Sequence, residues 1–419
     1  MNIEMVEQGG MRQDDRLIGV VSLMRMAVSG QDLAPLGTQL LQRAGDDPRT
    51  ASANALMDLS TVLQLRGNRE LALEMQSHAL ALQRLYSPPM CRGKVDRNTA
   101  AIRLLAIMAP GDLMSNSPIE FLLEDADVAL DILYVTDKHD LPQNLPEHDV
   151  LFVAIAESRS NLPLLGKVGE WIESWPCPVL NRPERIALLS RDKNFALLHS
   201  AAGVVMPNTV RVSRLQLEQI AAGRLALDAV LGAGDFPIIV RPVDSHAGQD
   251  LEKIDEAGEI AAYLSATESG EFYVSRFVDY RRADGMYCKY RIVLIEGRPF
   301  VCHVGISEHW MIHYMNAGMD KDAWKRQEEA AFMRDFDATF AVRHAEAFRQ
   351  INERIGLDYV GIDCAETADG RLLIFEVDSC MIVHALDPVD VFPYKQPQMQ
   401  KVFDAFRRML VHAVNRAKG

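Results

Sequence analysis

The chain has 419 residues, 48% hydrophobic and 24% charged, enough to bury a large core and to form two or three domains. Its formal net charge of −14 argues against a nucleic-acid partner or an anionic membrane surface, so a phosphate-bearing ligand must be met by local cations. No apolar run reaches membrane-spanning length, and MNIEMVEQGGMRQDD lacks the apolar core of a signal peptide. Cys91, Cys177, Cys288, Cys302, Cys364 and Cys380 are scattered without a CxxC pair, which points to a reducing cytoplasm.

Residues 12–88 carry helical periodicity. Leu59, Leu63, Gly67, Ala72 and Ala79 have spacings that resemble one tetratricopeptide unit, a pair of antiparallel helices with small residues where they touch. A lone helical hairpin cannot bury its faces, so Leu17 to Leu41 should supply neighbouring helices. This region reads either as an ordinary helical appendage or as a groove for a peptide or protein partner, and it is a candidate homodimer surface. Residues 87–98 read as a linker.

Strands and helices then alternate over 98–185. Ile102–Met108, Leu130–Val135, Val150–Ile155 and Pro178–Leu180 read as strands, with helices at Pro118–Leu123 and Leu164–Trp175, the pattern of a small α/β unit with a parallel sheet. There is no GxGxxG to suggest a dinucleotide site. A helix is expected over Glu184–Gly203 and another over Leu215–Ala222. Thr209–Val212, Phe236–Pro242 and Phe272–Val278 read as strands, and Met286–Ile295 and Pro299–Ile306 as a hairpin turning at Glu296-Gly297-Arg298. Lys289 and Arg291 share one face of its first arm. Ala330–Ile355 is predicted helical, as is Gln398–Asn415, whose apolar stripe is Met399, Val402, Phe403, Phe406, Met409 and Leu410.

Gly361–Asp378 is the most informative stretch. Two apolar runs flank Asp369-Gly370, a dipeptide suited to a two-residue type I′ turn. Counting outward from that turn pairs Thr367 with Leu372, Asp363 with Glu376, and Asp378 with Gly361. Paired side chains share a face with Cβ atoms roughly 5 Å apart. Asp363, Glu376 and Asp378 should then converge on one patch with no Lys or Arg among them, beside Leu372 and Ile374. A bound divalent cation would relieve their repulsion, although acidic residues are also common on a solvated sheet face.

Taken with the upstream cations, roughly residues 100–395 resemble the ATP-grasp ligases, nearest the RimK, glutathione synthetase and D-alanine–D-alanine ligase branches. The resemblance implies α/β and α+β architecture: a pre-ATP-grasp α/β domain (98–185) and a two-subdomain ATP-grasp fold (186–419). That fold would divide into 186–271, 272–395 and a C-terminal helix over 396–419, all preceded by the small all-α helical-repeat-like domain. It implies an ADP-forming carboxylate–amine ligase that works through an acyl phosphate on an amino acid or peptide. ATP would be bound with one or two Mg²⁺, for which Mn²⁺ could substitute.

The resemblance also assigns residues. Lys193 in SRDKNFAL falls on the family's helix-borne Lys, and Arg241 on its strand-end Lys. Ser245, His246 and Gly248 fall on the phosphate-covering loop, and Ser275, Arg276, Phe277 and Val278 on the adenine-lining hinge, where Ser275 replaces the usual Glu. Arg291 falls on the cation that stabilises the transferred phosphoryl group, with Lys289 assisting. Asp363, Glu376 and Asp378 fall on the metal ligands, Asp378 standing where the family usually has Asn. His309 and His313 have the i, i+4 spacing of a helical metal pair but no third ligand, which favours a substrate-side wall. His303, His309, Asn316 and His384 are candidate substrate contacts. Two other readings are a kinase-like member that phosphorylates without ligating and a nucleotide-sensing scaffold that binds a peptide at its helical N-terminus.

Overall fold

The computed structural model describes residues 16–45, 51–89, 97–138, 140–142, 144–232, 234–245, 248–313 and 316–418. No helix among them is long and apolar enough to cross a membrane. Four helices come first among the described residues: Val20–Val28, Ala34–Ala44, Ala53–Leu65 and Arg69–Leu82. The last two make the expected helical hairpin. Ser52 caps one by accepting the Ala55 N–H at 3.0 Å, and Leu59, Val62 and Ala79 share one core cluster.

β1 (Leu85–Tyr86) then pairs antiparallel with the edge of an α/β unit. That unit holds β2 (Ile102–Met108), β3 (Val128–Tyr134), β4 (Val150–Val153) and β5 (Val179–Leu180), in the spatial order β1-β3-β2-β4-β5. β2 to β5 are parallel, and β4 (VLFV) is wholly buried, as a strand covered on both faces should be. Because β3 and β4 flank β2 on opposite sides, the chain reverses direction across the sheet at β2.

Two further sheets follow. After β6 (Val204–Val205), an antiparallel sheet forms from β7 (Thr209–Ser213), β8 (Ile238–Pro242), β9 (Glu252–Ile254) and β10 (Glu271–Arg276), in the order β7-β10-β8-β9. Helices Arg214–Ala221 and Glu259–Ala266 bury Leu217, Ile220, Ile260 and Leu264 in its core. The last sheet contains β11 (Tyr287–Ile295), β12 (Arg298–Ser307), β13 (Tyr359–Glu366) and β14 (Leu372–Asp378), ordered β12-β11-β13-β14-β6.

Two expected helices are broken. Glu184–Gly203 is divided into Pro183–Ile186 and Arg191–Leu198, because Lys193 and Asn194 turn back to donate to the carbonyls of Ala187 and Leu189, each at 2.8 Å. Ala330–Ile355 is split among Ala323–Asp335, Phe340–Arg343 and Ala345–Ile355, where Thr339 Oγ1 donates to the Asp335 carbonyl at 2.7 Å. Residues 308–311 form bends and 312–313 no regular element, so His309 and His313 share no helical face.

The two hairpins exchange their expected turn chemistry. Glu296 and Gly297, both at positive φ (48° and 77°), make a two-residue loop between paired Ile295 and Arg298. At Asp369-Gly370 only Gly370 has positive φ, and Thr367 N–H donates to the Arg371 carbonyl across a loop one residue longer. Near the turn the pairing is therefore Glu366 with Leu372, and Leu373 rather than Leu372 or Ile374 falls on the Asp363 side. A bulge at Phe375 then restores the register, so Asp363 still faces Glu376 and Gly361 still faces Asp378.

The C-terminal helix, Lys395–Lys418, joins the α/β unit to the last sheet. Every residue of its expected apolar stripe is buried, and Phe406 lies 5.7 Å from the Phe152 ring on β4 and 5.5 Å from Tyr359 on β13.

Candidate active site

The antiparallel sheet and the last sheet face each other across a cleft of about 200 Å³. β8 contributes Arg241 to its wall, and β10 with the following segment contributes Ser275, Arg276, Phe277 and Val278. Lys289, Asp363 and Glu376 rise from β11, β13 and β14. Trp310 meets Phe277 edge-to-face at 5.6 Å, and Lys253 Nζ lies 5.0 Å from the Phe277 ring centre. With Met206 and Ile239 these rings give the cleft an apolar wall suited to a planar base. The Phe277 N–H donates to the Pro237 carbonyl at 3.1 Å, so that group is not available to read a base edge.

The charged wall is knit together. Asp363, almost fully buried, receives Arg291 Nε and Nη2 at 2.8 and 3.0 Å and Lys289 Nζ at 2.6 Å. Burial alone would raise its pKa, but the two cations outweigh burial and hold the carboxyl far below the usual carboxylate range. Burial likewise opposes charge on Glu376, and Arg191 and Arg241 overcome it to hold that carboxyl low. Arg191 donates to Glu376 Oε1 and, at 3.0 Å, to the Phe375 carbonyl. Arg241, 7% exposed, is pushed down to about 9 by burial and by the neighbouring charge of Arg191. Its Nε donates to Ser245 Oγ at 3.1 Å and its Nη2 to the Ser245 carbonyl. Two guanidinium groups that destabilise each other inside a cleft make a site for an anion.

The expectation of a carboxylate patch free of Lys and Arg is thus overturned. Arg291 and Lys289 enter from β11, which pairs with β13 so that Arg291 sits opposite Asp363. Counting within one hairpin could not reveal that neighbouring strand.

An α/β unit leads into two α+β sheets that close on a cleft carrying cations from one and carboxylates from the other. This is the arrangement that the resemblance to the ATP-grasp ligases implies. Among solved structures the chain is similar to D-alanine–D-alanine ligase from Bacillus anthracis complexed with ATP, with a TM-score of 0.46 and 11% identity. That match covers 76% of this chain and 100% of the other. It is also similar to VanG D-Ala:D-Ser ligase from Enterococcus faecalis (TM-score 0.44, 14% identity, 75% and 99% covered). A RimK domain ATP-grasp protein from Sphaerobacter thermophilus gives a TM-score of 0.42 at 15% identity, with 74% and 99% covered. No family model matches the sequence, and no curated protein does.

Arg241, Gly248, Ser275 to Val278, Lys289, Asp363 and Glu376 all line the cleft. His246 lies outside the described residues. Lys193 is not among the lining side chains; Arg191, two residues earlier, is. On a helix at 100° per residue these positions point about 200° apart, so only the orientation of the helix decides between them. Arg291 and His303 line a smaller pocket with Lys289 and Asp363. His303 and His384 lie 5.9 Å apart, both buried enough to favour the neutral imidazole. Asn316 braces the cleft loop, accepting the His313 N–H at 2.9 Å and donating to the Met311 carbonyl at 3.3 Å. The His309 N–H donates to Ser307 Oγ, outside the cleft lining, whereas His313 lines it.

Asp363 and Glu376 offer the hard oxygen donors that Mg²⁺ takes, from directly paired positions at the cleft. The described residues hold no ready-made group of three metal donors, and Asp378 accepts from Cys380 N–H at 3.1 Å and Cys380 Sγ at 3.0 Å outside the cleft lining. The carboxylate pair therefore fits an ion that arrives with phosphate oxygens to complete its shell.

Proposed function

We propose that the chain is an ATP-dependent, ADP-forming carboxylate–amine ligase that acts on an amino acid or peptide through an acyl phosphate. One observation carries this reading: Arg191, Arg241 and Lys289 meet Asp363 and Glu376 in a cleft whose other wall is aromatic. The adenine would lie against Phe277 and Trp310. Arg241 and Arg191 would take phosphate oxygens, exchanging mutual repulsion for charge-assisted hydrogen bonds. Asp363 and Glu376 would hold Mg²⁺, which when bound neutralises charge on the phosphate oxygens. Lys289 and Arg291, held in place by Asp363, are positioned to stabilise the transferred phosphoryl group and the acyl phosphate. Substrate carboxylate oxygen then attacks the γ-phosphorus, ADP leaves, and the amine displaces phosphate at the acyl carbon. Closure of the sheets over the cleft keeps water from the acyl phosphate.

An ADP-release screen across amino acids and peptides tests the proposal, with Glu376→Ala as control. Amine-dependent release that is lost in the variant supports ligation. Release that needs no amine and leaves a phosphorylated product would assign a kinase instead, and full activity in Glu376→Ala would overturn the metal assignment.

A further inference from the structure

A second cavity, of about 80 Å³, lies where the N-terminal helices meet the carboxyl end of β2, at the point where the parallel sheet reverses direction. The helical region is tied down here. The Gln76 side-chain amide donates to the Gly111 carbonyl at 2.8 Å and accepts the Gly111 N–H at 2.7 Å, and Gln64 Oε1 accepts the Leu113 N–H at 2.8 Å. Asp58, 1% exposed, accepts the N–H groups of Ile18 (2.7 Å) and Gly19 (3.0 Å) at the cavity rim. These bonds consume the polar groups that hold the wall together.

Two polar groups lining the cavity keep bonding capacity to spare. Tyr86 is 1% exposed, and its hydroxyl is buried with no hydrogen-bond partner. The Glu120 carboxylate, half-buried on the short helix Ile119–Leu122, takes a hydrogen bond only from its own backbone N–H, meets no cation among the described residues, and is pushed up to about 7 by burial. An unpaired Tyr86 hydroxyl and a Glu120 carboxylate without a counter-charge both cost free energy, which a ligand that completes them would recover. Among the described residues the lining contains Asp58, Glu120 and an Asp112 already paired with Arg69, but no Lys, Arg or His, so the partner it favours is a cation and not an anion.

The cavity is also linked to the reaction site. Ile382 lines it, and the Ile382 carbonyl accepts Arg291 Nη1 at 3.3 Å; Ser117, also in the lining, donates to the Ser379 carbonyl at 2.6 Å. The segment leaving β14 thus touches both the cavity and Arg291.

We propose that this cavity binds the ammonium group of a small amine or amino-acid substrate, with the Glu120 carboxylate and the Tyr86 hydroxyl as its ligands and the N-terminal helices as its far wall. The inference rests on the ligase reading for its link to catalysis but not for binding itself. The test is calorimetric titration of the full chain, without nucleotide, with the common α-amino acids, their N-acetyl derivatives and ethylamine. At least one free amine should bind while its N-acetyl derivative does not. Glu120→Gln should weaken that binding at least tenfold and Tyr86→Phe severalfold, with neither variant lowering the thermal midpoint. Binding unchanged in both variants, or no amine bound at all, would overturn the proposal. If binding behaves as expected but no ADP is released, the cavity stands and the ligase reading falls. If ADP is released with an amine KM unaffected by both variants, the ligase reading stands and the cavity falls.

Discussion

Replacing Asp363 by asparagine removes a charge without changing volume, and its effect follows from the geometry. The carboxylate is 2% exposed and faces two cations, Arg291 through two hydrogen bonds and Lys289 through a third at 2.6 Å. Breaking a buried ion pair from one side typically costs 3–5 kcal/mol, because the partner is left charged and uncompensated. Lys289 and Arg291 keep 23% and 25% exposure, so water recovers part of their solvation and the lower end, about 3 kcal/mol, is expected. At roughly 2–4 °C per kcal/mol for domains of 150–250 residues, the midpoint should fall by about 6–12 °C in a thermal melt at pH 7. The pH dependence gives a second reading. The folded pKa is depressed, so the stabilisation is present above the unfolded value and is lost as pH falls through the folded one. The gap between parent and variant should therefore hold above about pH 4 and narrow below it. A variant within about 1 kcal/mol of the parent at pH 7 would refute the reasoning, since that is the range of a solvated surface pair.

Arg191→Ala should weaken ATP binding at least tenfold, whereas Lys193→Ala should change it less than threefold; equilibrium titration of both separates two residues that the sequence alone does not. Asp58, pushed up to about 6 by burial, should behave in the opposite sense to Asp363. Its contribution is fully present below the unfolded pKa and lost as pH rises through about 6; Asp58→Asn carries a fixed cost for losing one of two acceptors, so the parent's lead over it should shrink by up to about 3 kcal/mol between about pH 4 and 7 in denaturant titrations. Phe406→Ala should cost about 3–5 kcal/mol, because it opens a cavity between β4 and β13 that neither sheet can collapse to fill. A loss under about 1 kcal/mol would mean that the helix is only loosely docked.

What could be read from the sequence was what repeats locally. β2 runs over Ile102–Met108 as its apolar pattern requires, and the stripe of the C-terminal helix is buried residue for residue. The acidic hairpin is more instructive. Its turn type was misjudged, because Asp369 keeps negative φ and the loop gains a residue, yet the pairing of Asp363 with Glu376 was right. The bulge at Phe375 adds one residue to the other arm and cancels the slip. Hairpin register can thus be correct at one end and wrong at the other. What lies across strands was invisible: Arg291 reaches Asp363 over a sequence separation of 72 residues, and Arg191 reaches Glu376 over 185. The choice of Arg191 over Lys193 depends on a helix rotation fixed by Asn194, which also donates to the Val377 carbonyl at 3.0 Å.

On the proposed reading, the cleft also answers how so acidic a chain would hold a polyphosphate. Among the described residues Arg191, Arg241, Arg276 and Lys289 line it against Asp363 and Glu376, a surplus of two positive charges in a chain of formal charge −14. Long-range attraction cannot bring the nucleotide in, because the Debye length at physiological salt is about 8 Å and the net field is repulsive. Affinity must come from contact. Arg241 shows how that can work, since burial and Arg191 lower its pKa only to about 9 and it remains charged at pH 7. The fold has therefore already met the cost of crowding two guanidinium groups, and an arriving phosphate removes their repulsion. Neutralising Arg241 while keeping its bulk, as in Arg241→Met, would raise stability and lower nucleotide affinity together, a pairing that a purely structural arginine would not produce.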